Sequence, residues 1–205
     1  MSEDTFEFKG EFLAELERSI AKYPKGREQS AVLVALDQAQ RQLHDEGHYV
    51  TEAAVDCISR MLDMPRIRII EVASFFTMIN LTPVGKHHIQ LCGTIACQLR
   101  GAEQLRAAVE KHLNIDNGET TADGQFTLTE VECLGACCNA PMVQINDDFF
   151  EDLTPEVLLN ILDSLKDGKD VSVGPQNGRK NSEPEGGPET LLDAKALKQP
   201  QVAGD

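Results

Sequence analysis

The first eighty residues carry apolar side chains at helical spacing. Apolar positions recur every three or four residues, which is the period of an amphipathic helix. Four helices are predicted, on the stripes that begin at Phe12, Val32, Val55 and Ile69. Thr51 offers an N-cap for the third helix, and Pro65 marks the start of the fourth. We therefore expect residues 1–82 to form an N-terminal helical bundle.

After Gly85 the pattern changes to the alternation that is typical of strands. The predicted order is strand, helix, strand, strand, a further short strand and a last helix. The ranges are 88–92, 97–113, 126–133, 142–145, the region of Phe149 and Phe150, and 154–165. This order predicts a thioredoxin-like α/β domain over residues 83–166, so the chain as a whole is of a mixed α+β and α/β class.

The last part of the chain, residues 167–205, has a different composition. It is rich in Gly, Pro, Asn, Lys and Glu and contains no aromatic residue. Such a segment buries too little apolar surface to offset the entropy lost on ordering. We expect a flexible, extended tail that orders along a partner subunit.

The charge of the chain narrows the classes of partner. It has 34 acidic and 19 basic residues and a formal net charge of −15, which disfavours nucleic acid and anionic membrane surfaces. No apolar run approaches the roughly 18 residues of a membrane helix, so direct membrane insertion is not expected.

The acidic N-terminus resembles neither a secretory signal nor a transit peptide, which predicts a cytosolic protein. There, six cysteines indicate metal ligands, reactive thiols or core residues before disulfides.

Four of the cysteines form two pairs, Cys92-x4-Cys97 and Cys133-x3-Cys137, separated by 35 residues. The predicted β-α-β crossover makes the two strands parallel, so both pairs follow strand ends at one edge of the sheet. A 2Fe–2S cluster needs two cysteines for each iron, as two converging loops can supply. Zinc is the alternative metal, although its structural sites usually use tighter pairs. Visible colour separates the two, because zinc proteins are colourless.

The neighbours of the four thiols suit an anionic cluster. Cys97 is predicted to begin a helix, whose first amides favour negative charge. Gly93 and Gly135 are expected to let the backbone approach and donate N–H bonds to sulfur. Arg100 is either a further positive neighbour or a solvated surface residue.

The other two cysteines and the histidines have simpler interpretations. Cys138 directly follows a proposed ligand, so its side chain should point away from the site. Cys57 lies beside an apolar stripe and is interpreted as a small core residue. His87 and His88 are consecutive and face opposite sides of a strand, which indicates packing or surface roles. Neither a Gly-x-Gly-x-x-Gly turn nor a phosphate loop is present, so hydride chemistry must lie on another chain.

Several segments resemble the 24 kDa, flavoprotein-associated subunit of NADH:quinone oxidoreductase, respiratory complex I. The resemblance is carried by VECLGAC and NAPM around residues 131–142, PVGKH at 83–87, GETT at 118–121 and VASFFTM at 72–78. The tail adds Gly174-Pro175, Gly178-Arg179, Glu183-Pro184 and Gly186-Gly187. Cysteine at 138 is the main departure from the family pattern.

The resemblance implies a single 2Fe–2S cluster on Cys92, Cys97, Cys133 and Cys137. It implies docking on the flavoprotein subunit that alone binds FMN and NADH, and beside the large iron–sulfur subunit of complex I. The cluster would exchange single electrons with the flavin, off the main route to quinone. The expected location is the peripheral arm, on the cytoplasmic side of a bacterial inner membrane or the matrix side in a mitochondrion.

Two other functions stay open from the sequence. The first is the equivalent subunit of an NAD-linked hydrogenase or formate dehydrogenase, which share this module. The second is a zinc-stabilised interaction module without redox activity. The flexible-tail hypothesis adds one further expectation, that deleting residues 167–205 weakens assembly but leaves the spectrum of the cluster intact.

Overall fold

The computed structural model describes residues 5–184, 186–187 and 190, and the chain divides into two compact units. Unit 1 comprises the described residues up to His88 together with Thr120–Thr127. Unit 2 comprises Ile89–Glu119 together with the described residues from Leu128 onward. The predicted domain boundaries after residues 82 and 166 stay predictions.

Unit 1 is built on four helices, each on one of the predicted apolar stripes. They are α1 (Gly10–Ile20), α2 (Val32–Gln42), α3 (Glu52–Leu62) and α4 (Arg66–Phe75). The predicted cap is confirmed, since the Thr51 hydroxyl accepts a hydrogen bond of 3.2 Å from the Ala54 amide at the start of α3. Leu16, Leu36 and Ile58 are fully buried between these helices.

Two details of unit 1 bear on the sequence predictions. The apolar stripe that begins at Ile69 continues through Phe76 to Ile79, but α4 ends at Phe75 because Phe76 adopts an extended conformation. Cys57 lies in the core, 6% exposed, as predicted, and His87 and His88 are both buried.

Among the described residues, no helix has the length and apolar character that crossing a membrane requires.

Within the described residues, the sheet has five strands in the order β2-β1-β3-β4-β5. The strands are β1 (His87–Cys92), β2 (Phe126–Val131), β3 (Val143–Ile145), β4 (Asp148–Glu151) and β5 (Gly174–Pro175). β3 runs antiparallel to both β1 and β4, and β4 runs parallel to β5. The helices of unit 2 are α5 (Ile95–Leu99), α6 (Ala102–Leu113) and α7 (Pro155–Lys166).

The neighbouring strands β1 and β2 run in the same direction. The His87 amide donates to the Gln125 carbonyl at one end, and the Gly93 amide donates to the Val131 carbonyl at the other. Donor and acceptor therefore advance together along the two strands, as in a parallel pair. The predicted β-α-β arrangement, with both strand ends at one edge of the sheet, is what the structure shows.

Two boundaries near that edge differ from the sequence prediction. The single helix expected over 97–113 is two helices, because Gly101 takes a left-handed conformation (φ 106°) that ends α5. α5 begins at Ile95, so Cys97 is the third residue of this short helix and does not begin it. β2 ends at Val131, so Cys133 lies in the loop beyond the strand.

The segment after α7 is packed against the sheet in its described part. Gly174 and Pro175 pair with Phe150 and Glu151, and the Gln176 amide donates to the Glu151 carbonyl at 3.0 Å. Sequence analysis expected no packing here because the segment is poor in apolar residues. Backbone and charged hydrogen bonds supply the attachment instead. The predicted partner-binding role of residues 167–205 stays a prediction, and residues 185, 188–189 and 191–205 lie outside the described ones.

Candidate metal centre

All four paired cysteines lie in unit 2, at the edge of the sheet where β1 and β2 end. Cys92 is the last residue of β1 and Cys97 lies in α5, and both are almost fully buried. Cys133 follows β2, Cys137 begins a short 3-10 helix (Cys137–Asn139), and both are exposed. The candidate site therefore has one buried pair and one exposed pair of thiols.

The thiols associate within each pair. The sulfurs of Cys133 and Cys137 are 3.3 Å apart, and those of Cys92 and Cys97 are hydrogen-bonded to each other. Across the described residues, no three His, Cys, Asp or Glu side chains surround a position for one metal ion. The arrangement is thus two pairs of donors, and it is the pattern that two metal ions with two cysteines each would use.

Contacts between the loops show that the pairs face each other. The Leu134 amide, in the second loop, donates a hydrogen bond to the Cys92 sulfur in the first. In the opposite direction, the Thr94 hydroxyl of the first loop contacts the sulfur of Cys133 and lies 3.3 Å from that of Cys92. Sequence analysis missed Thr94, although a hydroxyl two residues after a proposed ligand is a readable signal.

Backbone amides donate to sulfurs of both pairs. Besides Leu134, the Gly135 amide donates to Cys133 at 3.4 Å and the Met142 amide donates to Cys97. The predicted donation of the Gly135 N–H to sulfur is confirmed, and this glycine has a φ of 85°. The same role fails for Gly93, whose amide bonds to the Val131 carbonyl and holds β1 against β2.

Each pair contains one thiol that ionises more readily than the other. Burial acts to raise the pKa of Cys92, but hydrogen bonds from Thr94, Cys97 and Leu134 outweigh it and lower the pKa. Burial, together with the bond to Cys92, raises the pKa of Cys97 to about 12.

The exposed pair follows the same rule. The Gly135 amide, followed by the Cys137 thiol, lowers the pKa of Cys133. The bond to Cys133 and its charge raise the pKa of Cys137. Within each pair, one thiol therefore loses its proton before the other, and a bound metal would need both as thiolates.

Two other predicted neighbours are placed by the structure. The Cys138 thiol donates to the Asn139 side-chain oxygen at 3.2 Å, so this sulfur is engaged outside the two pairs, as expected. Arg100 directs its Nε to the Ala140 carbonyl at 3.5 Å, which favours a structural role for it over that of a charge beside sulfur.

One protein family and several known proteins are similar to this chain. The family model described as thioredoxin-like 2Fe–2S ferredoxin matches residues 16–166. A mitochondrial NADH dehydrogenase (ubiquinone) flavoprotein 2 of Dictyostelium discoideum is 46% identical over 92% of this chain and 75% of its own length. A subunit of the NADH-quinone oxidoreductase of Rickettsia bellii is 48% identical over 78% of this chain and 95% of its own length.

Among solved structures, an NAD+-reducing NiFe-hydrogenase in the air-oxidised state resembles 65% of this chain with a TM-score of 0.57. The match is 20% identical and extends over 23% of the hydrogenase chain, so it concerns the fold alone.

Proposed function

This chain belongs to the thioredoxin-like 2Fe–2S ferredoxin family, and on that premise we propose that four of its cysteines hold the iron–sulfur cluster of an NADH:quinone oxidoreductase subunit. The proposed ligands are Cys92, Cys97, Cys133 and Cys137. The chain works as part of an oxidoreductase complex and transfers electrons in its NADH dehydrogenase module, as its similarity to NADH dehydrogenase subunits indicates.

The observation that carries the ligand assignment is the convergence of two thiol pairs from two loops. The Leu134 amide and the Thr94 hydroxyl each reach across to a sulfur of the opposite loop. A cluster of two ferric ions, two sulfides and four thiolates has a charge of −2, so it needs donors aimed at sulfur. The amides of Leu134, Gly135 and Met142 are such donors and would stabilise the charge on three of the ligands.

The exposure of the site suits exchange of electrons with another chain. Cys92 and Cys97 are buried, whereas Cys133 and Cys137 reach the surface of the described chain. When bound, the cluster supplies one-electron redox chemistry, while NADH gives up a hydride. The residues of this chain therefore hold and shield a one-electron carrier, and a flavin on a partner would split the electron pair.

The partners we propose follow from the separation of one-electron transfer on this chain from hydride chemistry on another chain. An FMN- and NADH-binding flavoprotein subunit would face the exposed pair, and the large iron–sulfur subunit would lie beside it in the peripheral arm. The location would be the cytoplasmic side of a bacterial inner membrane, or the matrix side in a mitochondrion. The equivalent subunit of an NAD-linked hydrogenase or formate dehydrogenase is less well supported, because the hydrogenase match is 20% identical whereas the NADH-quinone oxidoreductase relatives reach 46% and more.

The test is reduction of the cluster by NADH. The full chain is loaded anaerobically with iron and sulfide, and its visible absorbance is followed after NADH is added, with and without the flavoprotein partner. We expect bleaching only with the partner present, and no NADH oxidation by the pure chain with any one-electron acceptor. Substantial NADH oxidation by the flavin-free chain would contradict the proposal, as would a loaded cluster that stays oxidised in the complex.

A further inference from the structure

The segment that follows α7 reaches back to the loop that carries Cys137. Arg179 makes most of the contacts with this loop, and its side chain forms an ion pair with Asp152. The two side chains are 9% and 5% exposed, respectively. The Arg179 Nε donates to an Asp152 carboxylate oxygen at 2.7 Å, and Nη1 donates to the Glu183 carbonyl at 3.0 Å. The remaining terminal nitrogen, Nη2, donates to the Cys138 carbonyl at 2.6 Å.

A second set of bonds joins the same segment and loop. Asn139 is 1% exposed, and its side-chain amide donates to the Asn181 carbonyl at 2.8 Å. The Asn139 carbonyl accepts from the Asp152 amide at 2.8 Å. Cys138 and Asn139, which directly follow Cys137, are therefore tied to the segment 179–183 and to Asp152 by hydrogen bonds.

This attachment matters because the loop has little regular structure of its own. Cys133, Cys137 and Cys138 are exposed, and the fully described stretch between β2 and β3 contains a single short 3-10 helix. A guanidinium is planar and presents several N–H donors at fixed angles. The three groups that accept from Arg179, the Asp152 carboxylate and the carbonyls of Glu183 and Cys138, are therefore held in fixed positions relative to one another. A buried pair also resists opening, because removal of one partner leaves an uncompensated charge.

From these contacts we infer that Arg179 is a positioning residue for the proposed cluster, fixing the Cys133–Cys137 loop through the Cys138 carbonyl. The inference rests on the proposed function, since it concerns the ligands named there. It also reverses the expectation that the segment after residue 167 is dispensable for the cluster. Arg179 acts on the ligands through the backbone of the loop that carries them.

The test compares variants of the full chain after anaerobic loading with iron and sulfide. In Arg179→Gln the charge and the fork are lost. Arg179→Lys keeps the positive charge but donates hydrogen bonds from one nitrogen in place of three. Arg106→Gln is the matched control, because Arg106 also pairs with two carboxylates, on α6, away from the thiol loops. All variants are compared at a temperature where their far-UV circular dichroism equals that of the wild type.

The readouts are the rate of iron release to an external chelator and the low-temperature EPR line shape of the reduced protein. Partners of metal ligands typically contribute roughly 10–100-fold to metal retention, so we expect Arg179→Gln to release iron about ten-fold faster, with a broadened EPR signal. Arg179→Lys should fall between Gln and the wild type, and Arg106→Gln should match the wild type. Only a role at the cluster changes the EPR line shape of a fully folded protein.

Several results would overturn the inference. If Arg179→Gln has the release rate and line shape of Arg106→Gln, Arg179 does not position the loop. Should Arg179→Gln fail to fold, the double variant Asp152→Asn, Arg179→Met removes both buried charges, and wild-type iron retention in it would reject the inference equally. A wild-type chain that takes up no cluster would instead reject the proposed function, and this inference with it.

Discussion

The sulfur atoms of Cys133 and Cys137 lie 3.3 Å apart at the surface of the described chain. The Gly135 amide, followed by the contact with Cys137, lowers the pKa of Cys133, and the same contact raises the pKa of Cys137. Metal binding needs both as thiolates, so assembly of the cluster would release any proton that either sulfur still carries.

One prediction concerns the thiol beside this pair. Cys138→Ala should keep the full spectrum of the cluster, because its sulfur is turned to Asn139 and is not part of either pair. In Cys137→Ala, however, Cys138 becomes the nearest spare thiol and should support a partial, altered cluster. The measurement is the EPR of Cys137→Ala against the double variant with Cys138→Ala. Equal residual signals in the two would show that Cys138 does not substitute.

Acid stability should depend on His88. Burial, with the neighbouring His48, lowers the pKa of His88 to about 4, whereas an unfolded chain takes up this proton near pH 6.5. Since the unfolded state binds the proton first, stability is full above pH 6.5 and falls as the pH drops towards 4, by about 3 kcal/mol.

His88→Gln should remove this part of the pH dependence. Urea unfolding of the wild type and the variant at several pH values between about 7 and 4 measures it. If both chains lose stability equally over that range, another group is responsible.

A close approach of backbone to backbone at Gly85 gives a further prediction. A Cβ on Gly85 would lie 2.8 Å from the carbonyl carbon and 2.9 Å from the nitrogen of Phe126. Backbone cannot yield as a flexible side chain does, so Gly85→Ala should reduce the free energy of unfolding by about 1–3 kcal/mol. Gly186→Ala is the control, because no atom lies within 4 Å of its Cβ position and its φ lies outside the left-handed region.

The Gly186 control should change stability by less than about 1 kcal/mol. Urea unfolding compares the two alanine variants with the wild type. Equal stabilities for Gly85→Ala and Gly186→Ala would mean that the segment before β1 and the start of β2 can move apart without cost in stability.

The features that were predicted correctly are those that depend on short-range rules of helix capping and strand connection. Thr51 caps α3 because a hydroxyl before a helix bonds to a free amide, and the two thiol pairs follow strand ends because a crossover helix makes strands parallel. Gly101 shows the limit of such signals. The apolar stripe continues past it, so periodicity alone predicted one helix where a left-handed glycine makes two.

The contacts that sequence analysis missed are non-local. Composition correctly identifies residues 167 onward as poor in apolar side chains, but the buried pair of Arg179 with Asp152 joins residues 27 positions apart by charge and hydrogen bonds. Likewise, Gly93 was assigned to a sulfur because it follows Cys92, whereas pairing of β1 with β2 directs its amide to Val131. Neither outcome has a signature within a short window of sequence.

We propose that four cysteines and no others hold one 2Fe–2S cluster. Low-temperature EPR of the dithionite-reduced chain, with iron and sulfide assays, tests this for the wild type and six single alanine variants. We expect two irons and two sulfides in the wild type, in Cys57→Ala and in Cys138→Ala. The EPR signal should be lost or strongly reduced in the variants of Cys92, Cys97, Cys133 and Cys137. A normal signal in any of those four, or a colourless wild type that binds zinc, would contradict it.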